Sequence, residues 1–167
     1  MSATGPTSIA VIAEALSRKS RWNAGIVHAF ARDSLLPLRV SSLGADGFPQ
    51  VTSLWFRLEA GRFLCCTQRG SLLARNVVRD GRVGFELAVN EPPYLGISGS
   101  ADACLLDDDP APLLTALADH YLGERDAPLR DWLLSRVATE VVVALTPRRI
   151  TSWDFRGRMS APRQQGG

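Results

Sequence analysis

Two residue types that carry much enzyme and metal chemistry are scarce in this chain. Among its 167 residues there are only three cysteines and two histidines. An odd number of cysteines without framework spacing excludes a disulfide scaffold. Cys65 and Cys66 are adjacent, so on a strand they would face opposite sides and could not easily share one metal. We therefore expect Cys65, Cys66 and Cys104 to be small buried hydrophobic residues of a protein in the reducing cytoplasm.

The histidines give no sign of hydrolytic chemistry. His28 and His120 both fall in helical patterns, and neither has a nucleophile beside it in a recognisable motif. GxGxxG and P-loop motifs are also absent. We interpret both histidines as ordinary helix residues and expect neither a hydrolase nor a protein with these nucleotide-binding motifs.

The chain also lacks a large excess of charge of one sign, and it lacks long hydrophobic runs. The chain has 19 basic and 17 acidic residues, and a formal net charge of +2 is too small to indicate a nucleic-acid or membrane-surface protein. No strand interleaves basic with aromatic residues, as oligonucleotide-binding barrels do. No apolar run reaches the roughly 18 residues of a membrane helix, and the first apolar stretch lacks the charged flank of a signal peptide. We expect a cytoplasmic protein that binds neither nucleic acid nor membrane.

The composition that remains is that of one globular domain. Hydrophobic residues make up 46% of the chain and charged residues 22%, enough for a core without disulfide or metal support. No repeat or internal linker interrupts residues 1–158, which we interpret as a single domain. Residues 159–167 are rich in polar residues, proline and glycine and are expected to form a flexible tail.

Hydrophobic periodicity predicts mostly strands, with two helices in residues 1–36 and a helical insertion at 107–138. Glycines inside one strand, Gly96 and Gly99, indicate a bend or a close approach by another group, such as a flat ligand. The predicted strands are 38–43, 50–58, 62–67, 83–89, 94–106, 139–147 and 150–155. Six or seven strands in consecutive hairpins predict a mainly β (α+β) fold, a closed or nearly closed antiparallel barrel with peripheral helices.

The helical insertion contains two amphipathic patterns. Residues 107–109 are three aspartates before Pro110, which we interpret as a charged helix start rather than a metal site. The second helix is predicted at 127–136. The residues expected to be buried on the two helices are Leu114, Leu117, Tyr121, Leu129, Trp132 and Leu133.

The stretch CTQRGSLLARN, residues 66–76, carries the most chemical information. A strand ends at Thr67, a glycine-containing turn follows, and a helix begins near Ser71. Unpaired N–H groups at a helix start bind anions, Ser71 and Arg75 share a helix face, and Thr67 and Arg69 add a hydroxyl and a charge. The stretch is thus either a phosphate site or an ordinary strand–turn–helix with Ser71 as its N-cap.

Three segments in order then resemble a known family. DGFPQVTSLWF, GRFLCCTQRGSLLARNVVRDGRVGFEL and GISGSADA are similar to the pyridoxamine 5′-phosphate oxidase-like, FMN-binding split-barrel superfamily. The resemblance covers about residues 38–106 and, more weakly, ITSWDF near the end. Each motif is loose by itself, and their order and spacing make the resemblance specific.

The resemblance implies a six-stranded antiparallel split β-barrel that forms a homodimer with two flavin sites at its interface. The segment 51–55 would border the isoalloxazine ring, and Trp153 would reach a site from the C-terminal strand, either of its own protomer or of the other one. With Arg69 and Leu72 of the turn and helix start included, the cofactor-binding positions are Val51, Thr52, Ser53, Leu54, Trp55, Cys66, Thr67, Arg69, Ser71, Leu72, Arg75 and Trp153.

One departure from the family pattern concerns the phosphate. The oxidases proper carry an Arg-Lys pair directly after the serine equivalent to Ser71, where this chain has Leu72 and Leu73. Arg69, Arg75 or Arg39 are candidates to replace the missing cations. We do not expect oxidation of pyridoxamine phosphate, because the residues for that substrate do not match.

The function implied is an FMN-dependent oxidoreductase that transfers a hydride to or from a small conjugated substrate, with no catalytic residue identified. An F420 (deazaflavin)-dependent reductase of the same superfamily and a non-enzymatic flavin-binding or sensor protein remain alternatives. A metal is not expected.

Overall fold

A computed structural model of the chain describes residues 7–123 and 125–159. Residues 1–6 of the predicted N-terminal region, and all of the predicted tail except Met159, lie outside the described residues. The helices are α1 (Ser8–Ala15), α2 (Ala24–Asp33), α3 (Leu72–Arg79), α4 (Pro110–Tyr121) and α5 (Ala127–Ser135). The strands are β1 (Leu38–Leu43), β2 (Pro49–Leu54), β3 (Phe56–Glu59), β4 (Arg62–Gln68), β5 (Arg82–Ala88), β6 (Leu95–Leu106) and β7 (Glu140–Asp154).

The strands form one antiparallel sheet in the order β2-β1-β5-β6-β7-β4-β3. β2 and β3 lie at opposite edges of this order, yet only Trp55 separates them in sequence. The sheet must therefore curl until its two edges meet at Trp55, which gives a half-barrel with helices around it. The α+β split barrel predicted from the sequence is confirmed, with seven strands in place of the six that the resemblance implied.

Two strand predictions were wrong, and in both cases the cause is how distant strands meet in the sheet. The segment 50–58 is two strands, because the chain crosses from one sheet edge to the other at Trp55. The runs 139–147 and 150–155 are one strand, β7, because a bulge absorbs the break: Ser100 pairs with Arg149 and Ala101 with Pro147, so one residue of β7 has no counterpart.

The core fills the concave side of the sheet and is closed by α1, α2 and α3. Side chains from the strands interlock with Ile12 of α1 and Val27 of α2, and burial of this apolar surface is the main stabilising term. The largest fully buried side chains include Phe56, Phe63, Leu38, Ile97, Leu145 and Ile150. None of the helices in residues 7–123 and 125–159 is long and apolar enough to cross a membrane.

α5 and the cysteines differ from their predictions. No residue of α5 is buried, and Trp132 is 52% exposed, because α5 packs on α4 and the turn after it rather than on the sheet. The hydrophobic spacing of α5 therefore identifies the side of the helix that faces α4, and Leu129 and Leu133 on that side are half-buried. Of the three thiols, only Cys65 is buried, whereas Cys66 is half-buried and Cys104 is exposed.

A buried amide fixes α3 to the β1–β2 hairpin. Asn76 is fully buried, and its Nδ2 donates to Ser42 Oγ (3.0 Å) and to Gln50 Oε1 (3.1 Å). Its Oδ1 accepts from Arg79 Nη2 at 3.1 Å, and Arg79 also donates to the carbonyl of Leu43. Since buried polar groups are costly without partners, this network holds α3 against the β1–β2 hairpin.

The mid-strand glycines are explained by backbone packing. A Cβ on Gly99 would lie 1.8 Å from the carbonyl oxygen of Arg149, and one on Gly96 would lie 2.6 Å from the Cβ of Ala88. The expected close approach is therefore made by neighbouring strands, with β7 crossing Gly99 at the bulge.

Gly99→Ala should lower the free energy of unfolding by about 1–3 kcal/mol or more, because the new methyl group forces β6 away from β7. Gly157→Ala is the matched control, since nothing lies within 4 Å of the added Cβ. Urea unfolding followed by tryptophan fluorescence measures both. Equal stability of the two variants would contradict the close approach.

Asn76→Ala should cost roughly 2–3 kcal/mol of unfolding free energy, because it leaves partners of the amide without a hydrogen bond in a buried place. Val78→Ala on the same helix, at a side chain 73% exposed, should change it by no more than about 0.5 kcal/mol. The same unfolding assay compares them, and a cost for Asn76→Ala no greater than that for Val78→Ala would show that the network does not hold α3.

Candidate functional site

The junction of β4 and α3 exposes hydrogen-bond donors at one point. Ser71 is the N-cap, and its Oγ accepts from the N–H of Ala74 (3.1 Å) and from Thr67 Oγ1 (3.1 Å). With both acceptor positions used, the proton of the Ser71 hydroxyl is left to donate outward. Within the described chain, the N–H groups of Leu72 and Leu73 have no hydrogen-bond acceptor. Together these three donors form a candidate anion site, which we call the anion cradle.

The turn that presents the anion cradle is fixed by its backbone. The N–H of Arg69 donates to the carbonyl of Thr139 (2.8 Å), which joins the turn to the segment before β7, and the N–H of Ser71 donates to the carbonyl of Gln68 (2.8 Å). These bonds hold the donors in place before a ligand arrives. Preorganised donors bind an anion more strongly than mobile ones.

Arg75 is the cation nearest in sequence to the cradle on α3. Its Nη1 donates to the carbonyl of Gly70 (2.6 Å), so the guanidinium folds back over the first turn of its own helix. Four of its five N–H donors remain for other acceptors. Arg69 has an exposed side chain in the same turn. Arg75 is therefore at the cradle and Arg69 lies in the turn that leads to it, and positive charge at these two positions would favour a phosphate.

The other two positions discussed from the sequence do not supply a cation. Leu73 is buried in the core and Leu72 is 47% exposed, so the first position after Ser71 faces solvent and the second faces inward. Arg39 lies on β1 and forms an ion pair with Glu86 of β5 (3.3 Å) and a hydrogen bond with Asn90. Arg39 is thus committed elsewhere, and Arg69 and Arg75 carry the charge at the cradle.

A cavity of about 390 Å³ opens beside Thr67, and we call it the leucine pocket. Half of its lining comes from the barrel seam and from β4, namely Ser53, Leu54, Trp55, Cys66, Thr67 and Gln68. The other half comes from the helical insertion and the start of β7, namely Leu114, Leu117, Leu129, Leu133 and Glu140. Five of the predicted cofactor positions therefore meet in one cavity.

Trp55 is a fixed wall of the leucine pocket. Its ring stacks on Tyr121, with centroids 4.9 Å apart and planes inclined by 4°. The hydroxyl of Tyr121 donates to the carbonyl of Leu36 (3.2 Å) and accepts from the N–H of Phe56 (3.3 Å), and burial raises the pKa of Tyr121 to about 12. Trp55 thus has one face covered by protein, and α4 is tied to the seam where the barrel closes.

The two ionisable groups of the leucine pocket are both shifted toward their neutral forms. Burial, and then the charge of Glu140, raises the pKa of the Cys66 thiol to about 12. A thiol protonated at neutral pH is a poor nucleophile. Burial also raises the pKa of Glu140, against the opposing effect of Arg136. Cys66 therefore contributes packing and a polarisable wall rather than covalent chemistry.

The remaining predicted positions lie away from this pocket. Val51 is 67% exposed and lines a second hollow of about 420 Å³ with Arg39 and Gly84 on the face of β2, β1, β5 and β6. Thr52 is half-buried between these regions. Trp153 pairs with Gly96 near the end of β7, twelve residues from Val141, which pairs with Thr67. One protomer therefore does not place Trp153 at the anion cradle.

Sequence reasoning missed a cavity larger than the leucine pocket, and it missed the carboxylate of the leucine pocket. A groove of about 790 Å³ runs between α2 and the ends of β5 and β6, with Ile26, Phe30 and Leu95 in its walls. The exposed apolar residues of α2 were the available signal for it. Glu140 stands at the head of the apolar run of β7 and is half-buried, and the pocket that it lines with Leu129 and Leu133 of α5 exists only in the tertiary structure.

Within residues 7–123 and 125–159, no group of three or more His, Cys, Asp or Glu side chains is placed to hold a metal ion.

Comparisons with known proteins agree on the fold. No family model matches the chain, and no curated protein matches it either. Among solved structures, a conserved hypothetical protein from Mycobacterium tuberculosis is similar at a TM-score of 0.71 and 22% identity, over 91% of this chain and 97% of that one.

Two further solved structures carry descriptions of cofactors. An F420 reductase is similar at a TM-score of 0.58 and 20% identity, over 72% of this chain and 93% of that one. A pyridoxamine 5′-phosphate oxidase-related, FMN-binding protein from Nostoc punctiforme is similar at a TM-score of 0.59 and 16% identity, over 83% of this chain and 86% of that one. The chain therefore has the split-barrel fold of pyridoxamine 5′-phosphate oxidase-like proteins.

Proposed function

We propose that this protein binds FMN and transfers a hydride to or from a small conjugated substrate. The observation that carries the proposal is the anion cradle: Ser71 O–H and the N–H groups of Leu72 and Leu73, beside Arg69 and Arg75. A terminal phosphate needs several converging donors and a positive charge, and this junction offers both. The split-barrel fold shared with an FMN-binding protein supports the same ligand.

The residues around the cradle fit the rest of such a cofactor. Thr67 and Cys66 at the end of β4 lie next to the cradle in sequence and would accommodate a polar chain leaving the phosphate. Ser53, Leu54 and Trp55 would border the ring, with the indole held by its stacking on Tyr121. When bound, a flavin supplies the hydride chemistry itself. The protein's part is to hold the phosphate, orient the ring and exclude water.

A homodimer belongs to the proposal, because one protomer leaves the site incomplete. Trp153 is distant along β7 from Thr67 in the same chain, and a second protomer would supply it. The exposed Val51 lies on the sheet face next to the segment proposed to border the ring. An apolar side chain exposed on a sheet face is suited to an interface.

F420 is the second candidate cofactor, because an F420 reductase has a similar structure and the exposed Arg69 and Arg75 suit a ligand with an acidic tail. A non-enzymatic flavin-binding or sensor protein is the third candidate, since none of the predicted cofactor-binding residues is an evident acid or base. Anaerobic reoxidation of the chemically reduced, cofactor-loaded protein by a panel of conjugated enones separates an oxidoreductase from a carrier.

The cradle is tested by titrating the protein with FMN and with riboflavin, which differ only by the phosphate. FMN should bind at least about tenfold more tightly, since a charge-assisted hydrogen bond is worth about 1.5–3 kcal/mol. Arg75→Ala should weaken FMN about tenfold and leave riboflavin unchanged. Arg148→Ala, an exposed arginine of β7 paired with Asp102, should alter neither affinity. Flavin fluorescence or calorimetry measures these constants.

Equal affinity for FMN and riboflavin would show that the anion cradle does not bind the phosphate of FMN. F420 titrated in parallel decides between the cofactors, and binding of F420 but not of FMN would replace the first candidate by the second.

The dimer is tested by sedimentation. The protein should have twice the mass of the 18.1 kDa chain. Val51→Asp should dissociate it, because a carboxylate would be buried without a partner. Val78→Asp, at an equally exposed valine of α3, should leave the dimer intact. A single-chain mass for the unmodified protein would contradict the shared site.

A further inference from the structure

The leucine pocket has two walls of different origin. One wall is the barrel seam with Trp55 and the end of β4. The other is built by α4 and α5, whose Leu114, Leu117, Leu129 and Leu133 point into the same space. α5 turns its exposed side, with Trp132, to solvent and its leucines to the pocket. The half-buried leucines of α5 therefore line a cavity and do not belong to the hydrophobic core.

Glu140 is the charged member of this lining. Burial raises the pKa of the Cys66 thiol to about 12, so among the described residues that line the pocket Glu140 is the one acidic group that can carry charge near neutral pH. None of the ion pairs formed by the described residues includes the carboxylate of Glu140. Arg136 is near enough to favour its ionised form, yet the guanidinium stacks over the ring of Trp132 at 4.4 Å.

A half-buried carboxylate without a bonded partner is costly, and a cation or an N–H donor relieves that cost. The rest of the lining is mostly apolar, and a volume of about 390 Å³ lies at the small end of the range for small-molecule sites. The matching ligand is therefore a compact molecule with an apolar body and one positively charged nitrogen.

We propose that the leucine pocket binds a small apolar amine, with its hydrocarbon or aromatic body between the leucines and Trp55 and its ammonium group on Glu140. One side of the pocket is formed by Ser53, Leu54, Trp55, Cys66 and Thr67, which the proposed function assigns to the cofactor. An amine on the leucine side would therefore lie against the ring, which makes this amine class the substrate class. That assignment as substrate rests on the proposed function, whereas binding of the amine requires no cofactor.

Calorimetry with three probes of one shape tests the proposal on the cofactor-free protein. The probes are 4-phenylbutylamine, 4-phenylbutan-1-ol and 4-phenylbutyrate, which differ only in the terminal group. The amine should bind at least about tenfold more tightly than the acid, with the alcohol between them, as expected for one charge-assisted hydrogen bond. Equal affinities for amine and acid, or no binding of any probe, would overturn the proposal.

Matched variants separate the two parts of the pocket. Glu140→Gln should reduce the preference for amine over acid to less than about threefold and leave the alcohol unchanged, whereas Asp131→Asn, an exposed acid of α5, should preserve the preference. Leu133→Ala should weaken all three probes alike, and its neighbour Leu134→Ala, outside the lining, should not. A preference that survives Glu140→Gln would overturn the role of this carboxylate.

The thermal unfolding of each variant is measured first, so that a loss of binding is compared only among folded proteins. The outcome is independent of the cofactor account: absence of probe binding with a retained FMN-over-riboflavin preference would reject the amine site alone. The reverse pattern would reject the cofactor cradle and keep the amine site.

Discussion

The hydrogen bond from Thr67 to Ser71 joins the end of β4 to the first turn of α3. Because Ser71 Oγ also accepts from Ala74, the hydroxyl proton and the first two N–H groups of the helix are left pointing outward. An ordinary N-cap has the same serine but lacks Arg75 folded back over the turn. The donors and the charge become one site through this junction, and the function proposed for the protein depends on it.

The fold supplies the junction with rigid supports. Asn76 fixes α3 to the β1–β2 hairpin, and the single residue Trp55 closes the curled sheet by joining its two edges. Tyr121 covers one face of that indole and ties α4 to the same seam. Consequently the helical insertion, the seam and the end of β4 enclose the leucine pocket. The pocket lies beside the anion cradle because β4 leads directly into the turn before α3.

Much of this was predictable from local pattern and from the order of motifs. The anion cradle follows from residues 66–76, because a strand end, a turn and a capped helix are local features. The break at Trp55 and the continuity of β7 through Pro147 were not predictable, since both depend on how distant strands meet at a seam and at a bulge. Glu140 and the leucines of α5 are likewise recognisable only once α5 is packed on α4, because their spacing alone resembles that of a core helix.

The most direct test of the account is the response of backbone amides to FMN. In a ¹H–¹⁵N spectrum of the full chain, the amide signals of Leu72 and Leu73 should shift strongly on titration with FMN and far less with riboflavin, because only FMN carries the phosphate that these N–H groups would bind. Signals from the opposite end of α3, such as that of Val78, should barely move. If the amides of Leu72 and Leu73 responded equally to both ligands, or to neither, the helix start would not be the phosphate site and the central claim would fail.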